Sequence, residues 1–283
     1  MSPRGPSPAI SSGVAGDAGR AALLTLLRPW VRWAARSAIA GRSRSRDEPT
    51  AGRFTRKDVD RLLGAAWANF DHLAPQLPRE PTLGSRQNVV LACLTLSMLQ
   101  ALLAEGIERD YAIELIGDAC WKVYAQWGQI PRLLSRASTR DPAKRMRMSV
   151  DMFLRYPFNQ PGYRYRDIAE PRGRGLDMLR CPVADYLASN GAADLCVGTW
   201  CNLDYPLARM WGGELERHGT LAGGAKQCDF RFRAPGQKSE KARARGSAVK
   251  FISCVGAVPD VLCGPSARRY SARREPRRRS RGL

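Results

Sequence analysis

The sequence predicts an α+β domain in which a layer of three to four helices is followed by a small antiparallel sheet with short helices inserted in it. Three observations lead there. Apolar residues recur at helical spacing from Val59 to about Arg155. After Pro157 that period breaks, and short segments of strand-like composition take over, beginning with the alternation of Tyr163, Tyr165 and Ile168. The charge sits at the two ends of the chain and not on this region. Helices first and strands afterwards is the order of an α+β fold.

The charge divides the chain. Its 283 residues carry a formal charge of +20, yet residues 1–57 hold 11 Lys/Arg against 3 Asp/Glu and residues 233–283 hold 14 against 3. Residues 58–232 hold 21 against 20, so the body is nearly neutral. A nucleic-acid-binding domain shows its basic footprint on the fold itself, with aromatics among the cations. Here weak contact with a membrane surface or nucleic acid is expected only through the flanks. The expected division is a basic flexible extension at 1–52, a single α+β domain at 53–233 and a basic, disordered tail at 234–283.

Within the extension, Leu23, Leu27, Trp30, Val31, Ala34 and Ala38 share one helical face, while Arg28, Arg32 and Arg36 repeat on another. An interfacial helix on anionic lipid, an organelle-targeting peptide and an unordered arginine-rich segment all fit this pattern. Pro29 weakens a continuous helix there. Folded sequence is expected from Phe54. Thr55 and Asp58 form a helix-start signal, after which Val59, Leu62, Leu63, Ala66, Trp67 and Phe70 keep the helical period until Pro75 and Pro78.

The second helix, from about Ser85 to Glu105, has almost no polar face and is expected to be buried on most sides. A third follows Gly106, from Arg109 to Trp127, and a fourth spans Asp141 to Arg155, with Lys144, Arg145, Arg147 and Arg155 as a solvated face. Leu176–Arg180, Leu215–Ala222 and Cys228–Arg233 read as strands, the last two joined by a turn at Gly223 and Gly224. Between them, Pro182–Ser189 and Ala192–Trp211 read as helices.

Met1 to Gly13 lacks the apolar run of a signal peptide, and Cys93 and Cys120 lie in apolar helical contexts. A reducing cytoplasm is therefore the expected compartment. No stretch reaches the roughly 18 uninterrupted apolar residues of a membrane span.

The residue types that chemistry needs concentrate between Cys181 and Phe232. Cys181, Cys196, Cys201, Cys228 and His218 include soft metal ligands, but no two close Cys-x-x-Cys pairs occur, and no metal or other cofactor is expected. What remains is a set of thiols and carboxylates. Cys201 precedes Asp204 by three residues, which on a helix places both on one side. Cys228 and Asp229 are adjacent, so in a strand they point to opposite faces and only one can share a pocket with Cys201. Arg217 and Arg231 are each able to clamp a carboxylate, and a thiolate beside an arginine has a lowered pKa.

Cys181-Pro182, Cys201-Asn202-Leu203-Asp204-Tyr205, Glu216-Arg217-x-x-Thr220-Leu221-Ala222-x-Gly224 and Cys228-Asp229-Phe230-Arg231-Phe232 together resemble the signature region of the L-2-amino-thiazoline-4-carboxylic acid hydrolase family. Gly84-Ser85-Arg86 and Phe158-Asn159-Gln160-Pro161 are similar as well, so the resemblance runs from about Phe54 to Phe232 and leaves out both flanks. His218 and Gly223 depart from it, standing where a small hydroxyl residue and a polar residue are usual.

The resemblance implies a hydrolase of cyclic amidines that acts on C–N bonds or opens the thiazoline ring to N-carbamoyl-L-cysteine. Residue type and motif position then cast Cys201 or Cys228 as nucleophile or thiol base, Asp204 and Asp229 as proton carriers, Arg217 as carboxylate anchor, and Thr220 and Arg231 as further substrate contacts. The alternative of a different class is a non-catalytic small-molecule or metal-binding domain of the same fold.

Overall fold

The computed structural model describes residues 27–235, all within one compact unit, Met1–Gln237. The N-terminal part of the basic amphipathic stretch, to residue 26, and the tail from residue 236 lie outside the described residues. A first helix, α1, occupies 27–39, within the stretch whose apolar face fits an amphipathic helix and upstream of Phe54, where folded sequence is expected to begin. Ala34, Ala35 and Ile39 are buried in the main apolar cluster, while Arg32 and Arg36 both hydrogen-bond Asp60 of the next helix. Pro29 lies on the exposed side and does not interrupt the helix.

Helix α2, Arg56–Leu73, begins as its sequence signal requires: Thr55 Oγ1 accepts the Asp58 N–H at 3.1 Å and the Asp58 carboxylate accepts the Thr55 N–H at 2.8 Å. Thr82 and Ser85 make the same reciprocal cap for α3, Leu83–Ala104. By length and a mean hydropathy of 1.6 α3 passes the test for a membrane-crossing helix, but 72 % of its apolar window is buried inside the fold, as a core helix should be.

Helix α4, Arg109–Ser138, runs eleven residues beyond the expected end at Trp127 and contains Pro131. The extra turns pack on α5, Pro142–Arg155, where Ser149 Oγ reaches Ser135 Oγ at 3.1 Å and the Pro131 carbonyl at 3.5 Å. Tertiary packing thus outweighs the bond lost at proline. On the other side of α5, Lys144, Arg147 and Arg155 are exposed.

The sheet is antiparallel throughout, with strand order β1 (Arg164–Ile168), β2 (Gly173–Arg180), β4 (Cys228–Arg233) and β3 (Glu214–Glu216). Between β2 and β3 the chain forms α6 (Pro182–Ser189), α7 (Ala193–Cys196), a π-helical turn (Val197–Cys201) and α8 (Asp204–Met210). The molecule is an α+β fold, as the residue order predicts. One strand differs: Leu215–Ala222 is expected to be extended, yet β3 ends at Glu216 and residues 217–227 form a loop. The Asp229 carboxylate captures the His218 and Gly219 N–H groups, each at 2.9 Å, and thereby removes ladder donors. Thr220 then starts a turn whose carbonyl accepts from Gly223 and Ala225 at 3.0 Å each.

Two apolar clusters result. One joins α1 to α4 with α6, and the other joins α5, the sheet and α8. Cys181 and Leu221 touch both clusters, so the cysteine-bearing segments lie along the seam between helices and sheet.

Gly84 explains why α3 can start where it does. A Cβ there would collide with the backbone of Pro157, and backbone cannot give way as a side-chain tip can. Gly84→Ala is expected to destabilise the protein by about 1–3 kcal/mol, read as a lower denaturant midpoint at unchanged slope.

Candidate active site

The seam receives its side chains from three segments. Cys181 directly follows β2 and stands at the N-cap of α6. The π-helical turn carries Cys201, and its wide winding sets Cys196 and Cys201, five residues apart, within hydrogen-bonding reach. Gly198 allows this turn to lie directly on Ile113 of α4, where any Cβ would collide. Cys228 comes from β4, on the face that also bears Phe230 and Phe232.

Arg217 binds these pieces together. Its Nη1 donates to the Cys201 carbonyl at 2.9 Å and to Asp204 Oδ2 at 3.1 Å. The Arg217 side chain is 4 % exposed and that of Asp204 20 %, so the pair is largely withdrawn from water. Aromatic rings take up the rest of the guanidinium: its carbon lies 4.9 Å from the Tyr205 centroid and 5.4 Å from that of Phe230. Leu221 N–H donates to Cys228 Sγ at 3.2 Å and ties the 217–227 loop to the strand.

The electrostatics separate the thiols. Burial pushes Cys181 up, and it pushes Cys228 up to about 12 despite the Leu221 N–H. Cys201 goes the other way. The hydrogen bond from the Cys196 thiol favours its thiolate most, followed by the Arg217 charge and the Thr220 hydroxyl, against burial and the nearby Asp204. Cys196, which gives its proton to that bond and is buried, is correspondingly raised. Burial lifts the Asp204 carboxyl to about 7, with Arg217 only partly offsetting it. A thiol biased toward thiolate and a carboxyl poised near neutrality therefore adjoin one guanidinium.

Cys201, Asp204, Arg217, Thr220 and Cys228 are thus brought together. Asp229 and Arg231 are not. Strand alternation turns both to the opposite face of β4, as it must if Cys228 faces the seam. Asp229 holds the loop, accepting from His218 N and Gly219 N and pairing with His218 Nδ1 at 2.8 Å. Burial works against its ionisation, but these hydrogen bonds keep its pKa below the usual carboxylate range. Arg231 donates to Asp177 at 2.8 Å, a buried carboxylate that also receives Arg166 at 2.9 Å. Arg231 thus ties β4 to β2.

Several polar groups at the seam escape a reading by periodicity. Asn88, buried in α3, donates to the Tyr163 hydroxyl at 2.8 Å, and both Tyr163 and Tyr124 have phenol pKa values pushed well up, first by burial. Charge on Asp204 acts on Tyr124, and charge on Cys181 acts on both phenols. An amide standing immediately before the apolar run that starts at Val89 was the available signal for Asn88, since a buried amide needs a partner. Tyr163→Phe leaves that amide without one and is expected to cost about 1–3 kcal/mol, measured by chemical denaturation.

For metal, geometry decides more than composition. Among the described residues no three His, Cys, Asp or Glu side chains are placed to hold an ion together.

A protein-family model described as L-2-amino-thiazoline-4-carboxylic acid hydrolase matches residues 88–232, which begin at Asn88 and end within β4. No curated protein and no solved structure matches the chain. The match spans more than half the sequence and contains every residue of the seam described above, and the chain belongs to the L-2-amino-thiazoline-4-carboxylic acid hydrolase family.

Proposed function

We propose that the protein is a thiol-dependent hydrolase of a cyclic amidine, with L-2-amino-thiazoline-4-carboxylate or a close analogue as substrate. The observation that supports this reading best is the shared contact of Cys201 and Asp204 with the withdrawn guanidinium of Arg217. Cys201 thiolate attacks C2 of the ring, and the C2–S bond breaks while the Asp204 carboxyl delivers its proton to the departing sulfur. Both C–N bonds of the urea unit survive. Water then adds to C2 and expels the Cys201 thiolate, and the proton released returns to Asp204. One water is consumed and N-carbamoyl-L-cysteine is formed.

Arg217 stabilises the thiolate and orients the Asp204 proton toward the ring. Its Nη1 is engaged by the site's own groups, so its role as carboxylate anchor is confined to whatever donor capacity the ring contacts leave. Thr220, whose hydroxyl faces Cys201 and accepts the Gly223 N–H at 2.9 Å, fixes the loop beside the thiol.

Ring opening releases one new thiol per turnover. Incubation of the purified chain with L-2-amino-thiazoline-4-carboxylate, followed by thiol titration and by mass identification of N-carbamoyl-L-cysteine, tests the proposal. Absence of both products with this substrate and with its 5-alkyl and N-alkyl analogues rejects it.

A further inference from the structure

The apolar side of α1 is turned inward. Leu27, Ala34, Ala35 and Ile39 are buried, so the face that a lone amphipathic helix would lay on lipid is taken up by the core. The outward side keeps two large rings: Trp30 is 44 % exposed and Trp33 47 %. Trp33 forms one wall of an open cleft of about 840 Å³ between α1 and α2, and Trp67 forms another. Among the described residues, four arginines line this cleft, Arg28, Arg32, Arg36 and Arg56, against one acid, Asp60. Arg32 and Arg36 share Asp60, and the Arg28 guanidinium carbon lies 4.8 Å from the centre of the Trp67 ring. Neither Arg28 nor Arg56 has a carboxylate partner among the described residues.

An apolar band continues the tryptophans on the other side of α1. Trp30 and Trp127 line the same recess, and Ile130 and Leu134 follow Trp127 along one side of α4, with Leu133 beside them. All three aliphatic side chains are more than half exposed. Single exposed apolar residues are ordinary, but aromatic and aliphatic side chains aligned across two helices and edged by arginines make an interaction surface.

The charge decides the kind of partner. Residues 236–283 hold 13 Lys/Arg against 3 Asp/Glu, and a second copy brings the same arginines, so like charge opposes both as occupants. Nucleic acid would use the arginines and the indole faces but gain little from Ile130, Leu133 and Leu134, because its contacts are ionic or stacked. An anionic bilayer uses every part: indole rings settle at headgroup level, aliphatic tips reach the acyl boundary, and arginines meet the lipid phosphates. We propose that the face formed by α1, the α1–α2 cleft and the distal half of α4 docks on an anionic lipid bilayer.

Full-length protein mixed with vesicles of equimolar phosphatidylserine and phosphatidylcholine, or of phosphatidylcholine alone, provides the test. Binding is read by co-sedimentation, and contact with lipid by quenching of tryptophan fluorescence with brominated acyl chains. Partitioning is expected to be at least about tenfold stronger onto the anionic vesicles, to weaken as salt rises, and to be accompanied by quenching. Trp30→Ser combined with Trp33→Ser is expected to weaken partitioning at least about tenfold and to remove most of the quenching. Ile130→Ser combined with Leu134→Ser is expected to weaken it at least about threefold, which keeps the test decisive if the tryptophan variant does not fold. Anionic-vesicle binding that is unchanged in the folded double variants belongs to the basic tail and overturns the proposal. Absence of vesicle binding also overturns it, whether the face instead holds oligouridylate RNA, read by fluorescence anisotropy, or a second copy of the chain, read by sedimentation velocity.

Discussion

Asp204→Asn is expected to lower kcat by about 10²–10⁴-fold and to remove the fall of activity expected of the wild-type protein as pH rises through about 7. The physical cause is burial. It raises the Asp204 carboxyl to about 7, so the proton needed by the leaving sulfur is present below that pH and lost above it. Asparagine keeps the shape and cannot supply the proton. The same shift has a consequence for stability. A carboxyl whose folded pKa lies above its unfolded value favours the folded state below about pH 4, and this contribution declines as pH rises from about 4 to about 7. Denaturation of wild type and Asp204→Asn across that window is expected to show the wild type losing stability relative to the variant, with no further change above about 7. A pH-independent difference between the two proteins would mean that Asp204 ionises like an exposed carboxylate.

Arg217→Ala is expected to destabilise the protein by about 3 kcal/mol, because it leaves a largely buried carboxylate without its cation and strips the Cys201 carbonyl of a donor. The stacked contacts with Tyr205 and Phe230 go as well. Removing the guanidinium also takes away the one influence that pulls the Asp204 pKa down, so the alkaline fall of activity in any folded variant moves to higher pH. Arg217→Lys should restore part of the stability, since the charge is kept, but not the two-acceptor geometry that Nη1 provides. Thermal and chemical denaturation of the three proteins, with pH profiles of residual activity, check this ordering.

Much of the fold was legible because local chemistry and packing agree. Thr55 with Asp58 and the apolar period after them fix α2, while Pro182 at the first position of α6 and the alternation in Cys228–Arg233 mark elements that form where they are expected. The departures are places where a distant group intervenes. Asp229 takes the backbone donors that would have continued β3, and α5 sustains α4 through Pro131. The apolar face of α1 was legible, but its arginines suggested a free flank, although two of them hold Asp60 and the apolar face joins the core.

The site divides in the same way. The three-residue spacing of Cys201 and Asp204 was legible, but Arg217, read as the anchor of a substrate carboxylate, donates instead to the Cys201 carbonyl and to Asp204, while strand alternation required that Cys228 and Asp229 diverge. Alternation could not say which of them faces the seam; the apolar packing of Phe232 and Met178 on the same face decides for Cys228. Asn88 and Tyr163 meet across 75 residues of sequence, a separation that no local pattern spans.

The central claim concerns Cys201, the thiol here that its surroundings bias toward thiolate. The most direct measurement is single-turnover release of N-carbamoyl-L-cysteine from L-2-amino-thiazoline-4-carboxylate by wild type, Cys201→Ala and Cys228→Ala, with folding of each checked by circular dichroism. The expected result is a rate at least about 10³-fold lower for folded Cys201→Ala and a loss of less than about tenfold for Cys228→Ala. Wild-type rates in folded Cys201→Ala would contradict the assignment of the nucleophile.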